Sequence, residues 1–209
     1  MAPEWNAYWE SVCRKLGCRH EGFLTIFKEL DKLENPIIIE TGCVRREESW
    51  NSDGSSSRLF NEYAKHHNGI FFTVDLSKES TDCAKKLCDQ AIVMTGDSVE
   101  FLKDLAKSDI KADLLYLDSF DLNVEDPFPS SMHHLKELIA ALPMIKPETL
   151  IVVDDCFYNV AKLVSGKGAL VAKYMDEHGA KPFLLDYQCG WTNLTTQEGV
   201  NHGSTDRKT

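Results

Sequence analysis

Acidic residues recur in this sequence directly after short apolar runs, and their types and spacing suit two kinds of chemistry. Ile37-Ile38-Ile39 leads into Glu40-Thr41-Gly42, and residues 70–74 lead into Asp75. Residues 91–94 lead into Thr95-Gly96-Asp97, residues 114–117 into Asp118, and residues 150–153 into Asp154-Asp155. The first chemistry is nucleoside recognition, in which an acid at the end of a buried strand accepts hydrogen bonds from two ribose hydroxyls. Asp75 suits that place, and an acid there opposes a 2′-phosphate, which argues against NADP. Gly42 lets backbone pass close to a ligand. Asp53-Gly54-Ser55-Ser56-Ser57 opens a helix whose free N–H groups can hold a carboxylate or a phosphate; the alternative is an ordinary glycine turn and helix cap. Asp97 could cap the next helix and face an adenine, or serve as the cap alone. The spacing is not G-x-G-x-x-G, so the dinucleotide fingerprint fails.

The second chemistry is capture of a hard cation. Asp118, Asp154 and Asp155 close two runs that read as neighbouring central strands. Three converging carboxylates repel one another unless a cation or protons intervene. All-oxygen ligation suits Mg²⁺, Ca²⁺ or Mn²⁺, and such an ion lowers the pKa of a bound hydroxyl. The alternative is that Asp155 caps the following segment while only Asp118 points inward. Cys156 lacks a His partner at a diagnostic spacing for a nucleophile. His133-His134 begins a helix, so one of the pair can face a cleft.

These acids meet only if the runs are strands of one sheet. Each run is four or five residues long and rich in aliphatic or β-branched types, the pattern of parallel strands covered on both faces. Helical spacings lie between them: Leu59, Phe60, Tyr63 and Ala64; Val99, Phe101, Leu102 and Leu105; residues 134–142; and residues 169–175, closed by Gly179. The alternation predicts a Rossmann-like doubly wound α/β sheet with helices on both faces. A last strand is expected at 183–185. Residues 1–35 read as a helical extension or lid, with stripes at Trp5, Tyr8, Trp9, Val12 and Leu16, then Phe23, Ile26, Phe27, Leu30 and Leu33. Residues 36–194 form the main domain, and the polar 195–209 reads as a mobile tail.

Composition narrows the partners. The 209 residues are 43% hydrophobic and 27% charged, as expected of one folded domain. With 33 acidic and 23 basic residues the net charge is −10, which disfavours nonspecific nucleic-acid binding and hints at a neutral or cationic small partner. No apolar run approaches the roughly 20 residues of a membrane helix, and the start lacks a signal-peptide pattern. The seven cysteines show no CxxC, so reduced thiols and a cytoplasmic location are expected.

In order and spacing, Ile39-Glu40-Thr41-Gly42, Val74-Asp75, Gly96-Asp97-Ser98, Tyr116-Leu117-Asp118 and the run from Ile151 to Asp155 resemble class I S-adenosylmethionine-dependent methyltransferases. The resemblance covers about residues 36–190 and is nearest to small metal-dependent O-methyltransferases of the catechol and macrocin types. It implies a mostly parallel, seven-stranded sheet. Glu40 and Gly42 then line the methionine part of S-adenosylmethionine, with Gly54 and Ser55 in the same glycine loop. Asp75 binds the ribose, Asp97 and Ser98 flank the adenine, and Asp118 joins the cofactor site. Asp118, Asp154 and Asp155 are the implied ligands of Mg²⁺, or of Mn²⁺ or Ca²⁺. Asp118 and Asp121 are the implied catalytic residues for methylation of a small-molecule hydroxyl, and family members often form homodimers.

Two departures stand out. Eleven residues, Cys43 to Asp53, separate Gly42 from Gly54, where the family has a few. This insertion could fold over the cofactor, with Arg45 or Arg46 on the methionine carboxylate and Trp50 as a lid. Three residues after Asp118 the family carries a Lys or His base, and this chain carries Asp121. These departures motivate a second expectation, a protein that binds S-adenosylmethionine or a related nucleoside without transferring a methyl group. The acceptor would be selected by the first 34 residues, the 120–132 loop and the 156–165 segment.

Overall fold

The computed structural model describes residues 3–50, 55–159 and 163–195. Five parallel strands carry the acids: β1 (Ile37–Thr41), β2 (Ile70–Asp75), β3 (Ala91–Thr95), β4 (Leu114–Leu117) and β5 (Leu150–Val153). With β8 (Lys181–Leu185) and β9 (Cys189–Thr192) they form a seven-stranded sheet in the order β3-β2-β1-β4-β5-β9-β8. β9 runs antiparallel to both of its neighbours. Strand order reverses between β1 and β4, the switch point at which open α/β sheets bind ligands. Register aligns the strand ends there. Thr41 lies opposite both Val74 and Leu117, and Leu117 lies opposite Val153. Gly42, Asp75, Asp118 and Asp154 therefore emerge along one edge.

β1, β4 and β5 are almost wholly buried because their side chains alternate between two cores. Ile38, Tyr116 and Val152 face one core, together with α3 (Ser55–His66) and the N-terminal helices α1 (Pro3–Val12) and α2 (His20–Leu30). Ile39, Leu115 and Ile151 face the other, against α5 (Ser98–Leu105), α6 (Phe128–Ala141) and α7 (Ala169–Glu177). Trp5 is 1% exposed, with its ring 4.6 Å from Phe27 and 5.0 Å from Tyr63. The N-terminal addition thus forms a layer over the sheet face; its bulk does not cover the strand ends. The turn before α2 reaches them through Arg19.

Two features were invisible in the apolar pattern. The helix α4 (Lys78–Leu87) buries Ser80, Thr81 and Ala84, and such small polar contacts leave no apolar stripe. A separate hairpin of β6 (Cys156–Tyr158) and β7 (Val164–Gly166) follows β5 and returns the chain to the strand ends. All seven cysteines are free thiols. No described helix is long and apolar enough to cross a membrane. The expected tail lies outside the described residues beyond Thr195.

Candidate functional site: a nucleoside-sized cleft beside an acid cluster

A cleft of about 530 Å³ opens at the carboxyl ends of β1 to β4. That volume suits a ligand of nucleoside size. Gly42, Asp75, Asp97 and Ser98 all line it, four of the residues expected to bind a cofactor. Gly42 has φ +80, and a Cβ there would sit 2.5 Å from the carbonyl oxygen of Asp118. Both the left-handed backbone and the close approach of the two strand ends therefore require glycine. Asp75 ends β2 with its carboxylate steadied by two backbone donors, the N–H of Ser77 at 2.7 Å and that of Cys43 at 3.2 Å. A carboxylate offers about four acceptor directions, so acceptor capacity remains for a diol. Asp97 caps α5, accepting from the Glu100 N–H at 3.0 Å.

Glu40, expected beside the methionine part, is fully buried and does not line the cleft. Its Oε2 accepts from Ser57 Oγ at 2.6 Å and Thr73 Oγ1 at 2.7 Å, tying β1 to β2 and α3. Oε1 has no partner among the described residues. Burial pushes Glu40 up to about 8, so it holds a proton at neutral pH. Its place is beneath the glycine turn, as a support. Gly54 lies outside the described residues, and Ser55 opens α3.

The described part of the insertion, residues 43–50, also departs from expectation. Arg45 lines the cleft, but its guanidinium makes a two-pronged pair with Asp121, at 2.6 and 3.0 Å. The hydrogen bonds from Arg45 hold the Asp121 carboxyl below the usual range, which makes it a weak base. Trp50 is no lid. Its ring lies under the Arg58 guanidinium at 4.1 Å and the Lys15 ammonium at 5.2 Å, and it packs against the N-terminal core.

Asp118, Asp154 and Asp155 do converge, but around two internal cations. Lys167 Nζ lies 2.7 Å from Asp118 Oδ1 and 3.0 Å from Asp155 Oδ2. Arg19 donates from Nε to Asp154 Oδ2 at 2.7 Å and from Nη2 to Asp155 Oδ1 at 2.9 Å. Tyr116 adds a hydroxyl donor to Asp154 Oδ2 at 2.8 Å, and Tyr187 adds one to Asp155 Oδ1 at 2.5 Å. The remaining Asp154 oxygen accepts the Asp155 N–H at 2.8 Å. The Arg19 guanidinium also lies 4.7 Å over the Tyr187 ring. Five of the six carboxylate oxygens are thus engaged within the protein. Among the described residues no group of three His, Cys, Asp or Glu side chains is arranged to hold a metal ion. The donor set therefore does not fit the divalent cation that the sequence implied.

The electrostatics show how far the two cations offset burial, which still leaves the Asp118 carboxyl raised despite Lys167. Burial alone would discharge Lys167, yet Asp118 and Asp155 outweigh it and hold the ammonium well above its usual range. Burial and the neighbouring Asp118 push Asp154 up to about 6, still ionised at neutral pH. Burial also raises Asp155, but Lys167 and the Tyr187 hydroxyl more than reverse it, so the net shift is downward.

Sequence reasoning missed both cations. Lys167 stands between Gly166 and Gly168, and that triplet was its signal. Gly166 has φ +76, and a Cβ there would come within 2.4 Å of the Asp155 carbonyl oxygen. The β6–β7 hairpin can then pack tightly over the end of β5 and deliver Lys167. Arg19 carries no local signal, since its partners lie more than 130 residues away. On the opposite wall of the cleft, His133 Nε2 contacts Ser98 Oγ at 3.0 Å and Glu137 Oε1 at 3.3 Å. Hydrogen bonding to the buried Glu137 raises the His133 pKa. His134, by contrast, is fully buried and held on the Ser130 carbonyl.

No protein-family model matches the sequence, and no curated protein matches it. Solved structures do. The MycE methyltransferase from the mycinamycin biosynthetic pathway, in complex with Mg and S-adenosylhomocysteine, is 14% identical with a TM-score of 0.64. It covers 97% of this chain, which spans only 58% of its length. A calicheamicin methyltransferase is 12% identical with a TM-score of 0.57, over 83% of this chain and 80% of its own. The N-methyltransferase NodS from Bradyrhizobium japonicum WM9 is 12% identical with a TM-score of 0.54, over 85% of this chain and 96% of its own. With the strand order and the cleft at the β1/β4 switch point, these likenesses establish that the chain has the class I methyltransferase fold.

Proposed function

We propose that this protein transfers a methyl group from S-adenosylmethionine to a hydroxyl of a small molecule. The carrying observation is the convergence of Gly42, Asp75, Asp97 and Ser98 on one nucleoside-sized cleft at the switch point of a class I methyltransferase fold. When bound, S-adenosylmethionine supplies a methyl group on a sulfonium and leaves as the thioether, while the acceptor hydroxyl loses its proton to solvent. The residues of this chain do the positioning. Asp75 accepts hydrogen bonds from the ribose hydroxyls, Ser98 and Asp97 bound the adenine, and the left-handed Gly42 turn lets backbone approach the methionine part. Transfer of this kind draws its rate chiefly from alignment of donor and acceptor. Of the solved neighbours, a calicheamicin enzyme is described as a TDP-rhamnose 3′-O-methyltransferase, which supports a hydroxyl acceptor by analogy of fold.

A second reading is binding without transfer. One observation favours it: the place of the family's Lys or His base is taken by Asp121, held ionised by Arg45. Incubation with S-adenosylmethionine labelled on the methyl group, across a panel of phenols, sugars and other hydroxylated molecules, separates the two. Label transferred to a hydroxyl supports the enzyme. Saturable nucleoside binding with no transfer across the panel supports the binding protein. Absence of both sinks both readings.

A further inference from the structure

We infer that Lys167 and Arg19 are built-in substitutes for a divalent cation, so that this protein's acid cluster works without a metal. The inference concerns charge geometry alone and stands whether or not the methyl-transfer reading does. Three carboxylates at the ends of β4 and β5 are a costly arrangement in a buried place, since each opposes the ionisation of the others. A divalent ion is one remedy. Here the ammonium of Lys167 and the guanidinium of Arg19 together supply the same two positive charges, each within 3.0 Å of the oxygens it neutralises.

Both cations are installed by the fold. Lys167 is 2% exposed, delivered by the β6–β7 hairpin. Arg19 is delivered by the turn before α2, and its guanidinium lies over the Tyr187 ring. The two come from distant parts of the chain, and Asp155 is the carboxylate they share. An incoming ion would have to displace oppositely charged partners from four oxygens and a backbone N–H from a fifth before finding ligands there.

Mn²⁺ titration of the intact protein, read by the loss of the free-ion paramagnetic resonance signal and by thermal melting, tests the inference. The wild type is expected to show no saturable Mn²⁺ binding that Asp118→Asn removes, and no upward shift of Tm with Mn²⁺. Lys167→Met opens the cluster on one side. It is expected to melt lower than wild type, to bind Mn²⁺ with a dissociation constant of roughly 10⁻³ M or tighter, and to regain Tm as Mn²⁺ is added. Asp118→Asn in the Lys167→Met background removes that gain. Stoichiometric Mn²⁺ binding by the wild type, abolished by Asp118→Asn, overturns the inference. So does a folded Lys167→Met protein that gains no Mn²⁺ binding. If Lys167→Met does not fold, Arg19→Met takes its place with the same two outcomes. Loss of nucleoside binding leaves these results untouched, which separates failure here from failure of the proposed function.

Discussion

Replacing Lys167 by Met removes the ammonium that lies within 3.0 Å of both Asp118 and Asp155 and leaves two carboxylates facing each other without it. Breaking a buried pair in this way costs about 3–5 kcal/mol, so denaturant melts should show a loss of that order. Adding Asp118→Asn should return part of it, and a double-mutant cycle reads the coupling. Glu40 gives a pH signature. Its pKa is about 8 when folded, against an ordinary carboxyl value when unfolded. The folded protein therefore keeps a proton that the unfolded chain releases, and stability falls as pH rises through that interval. Between pH 5 and 8 the slope from this residue is about 1 kcal/mol per unit. Glu40→Gln should flatten it in melts taken across that range. The acids themselves were legible in the sequence because each follows an apolar run directly. Of their cations, Lys167 had only the flanking glycines as a signal and Arg19 had none, since charge pairing across more than 130 residues leaves no periodicity to read.

Elements set which of these side chains meet. β1, β2, β4 and β5 end in register, so the acids after the β2, β4 and β5 runs reach the same edge as Gly42, while Glu40, still inside β1, stays buried beneath it. The hairpin and α4 did not follow from the sequence. The three-residue strands of the hairpin are too short to show alternation, and α4 packs through Ser80, Thr81 and Ala84. Gly166→Ala tests the hairpin's role. It forces a Cβ against the Asp155 carbonyl oxygen and a side chain into left-handed backbone. A loss of at least about 2 kcal/mol is expected, with Lys167 shifted away from Asp118. Trp5→Ala tests the N-terminal layer. A structural layer predicts a loss of about 3–5 kcal/mol from emptying this buried site, measured by melting. A flap over the strand ends predicts little change in stability and a changed ligand affinity instead.

At the scale of the whole molecule, one edge of the sheet carries two sites of opposite design. The cleft over β1 to β4 keeps Asp75 with acceptor capacity to spare, while the cluster at the ends of β4 and β5 commits its carboxylates to internal cations. The net charge of −10 therefore overstates the negative field at the site. Recognition of a nucleoside in the cleft is the central claim, and calorimetric titration with S-adenosylhomocysteine tests it directly. A single saturable site is predicted, with Asp75→Ala weakening it at least tenfold, the loss of about 1.4 kcal/mol expected when one hydrogen-bonded ribose contact is removed. Heat of binding that is absent in the wild type, or unchanged by Asp75→Ala, would contradict the account.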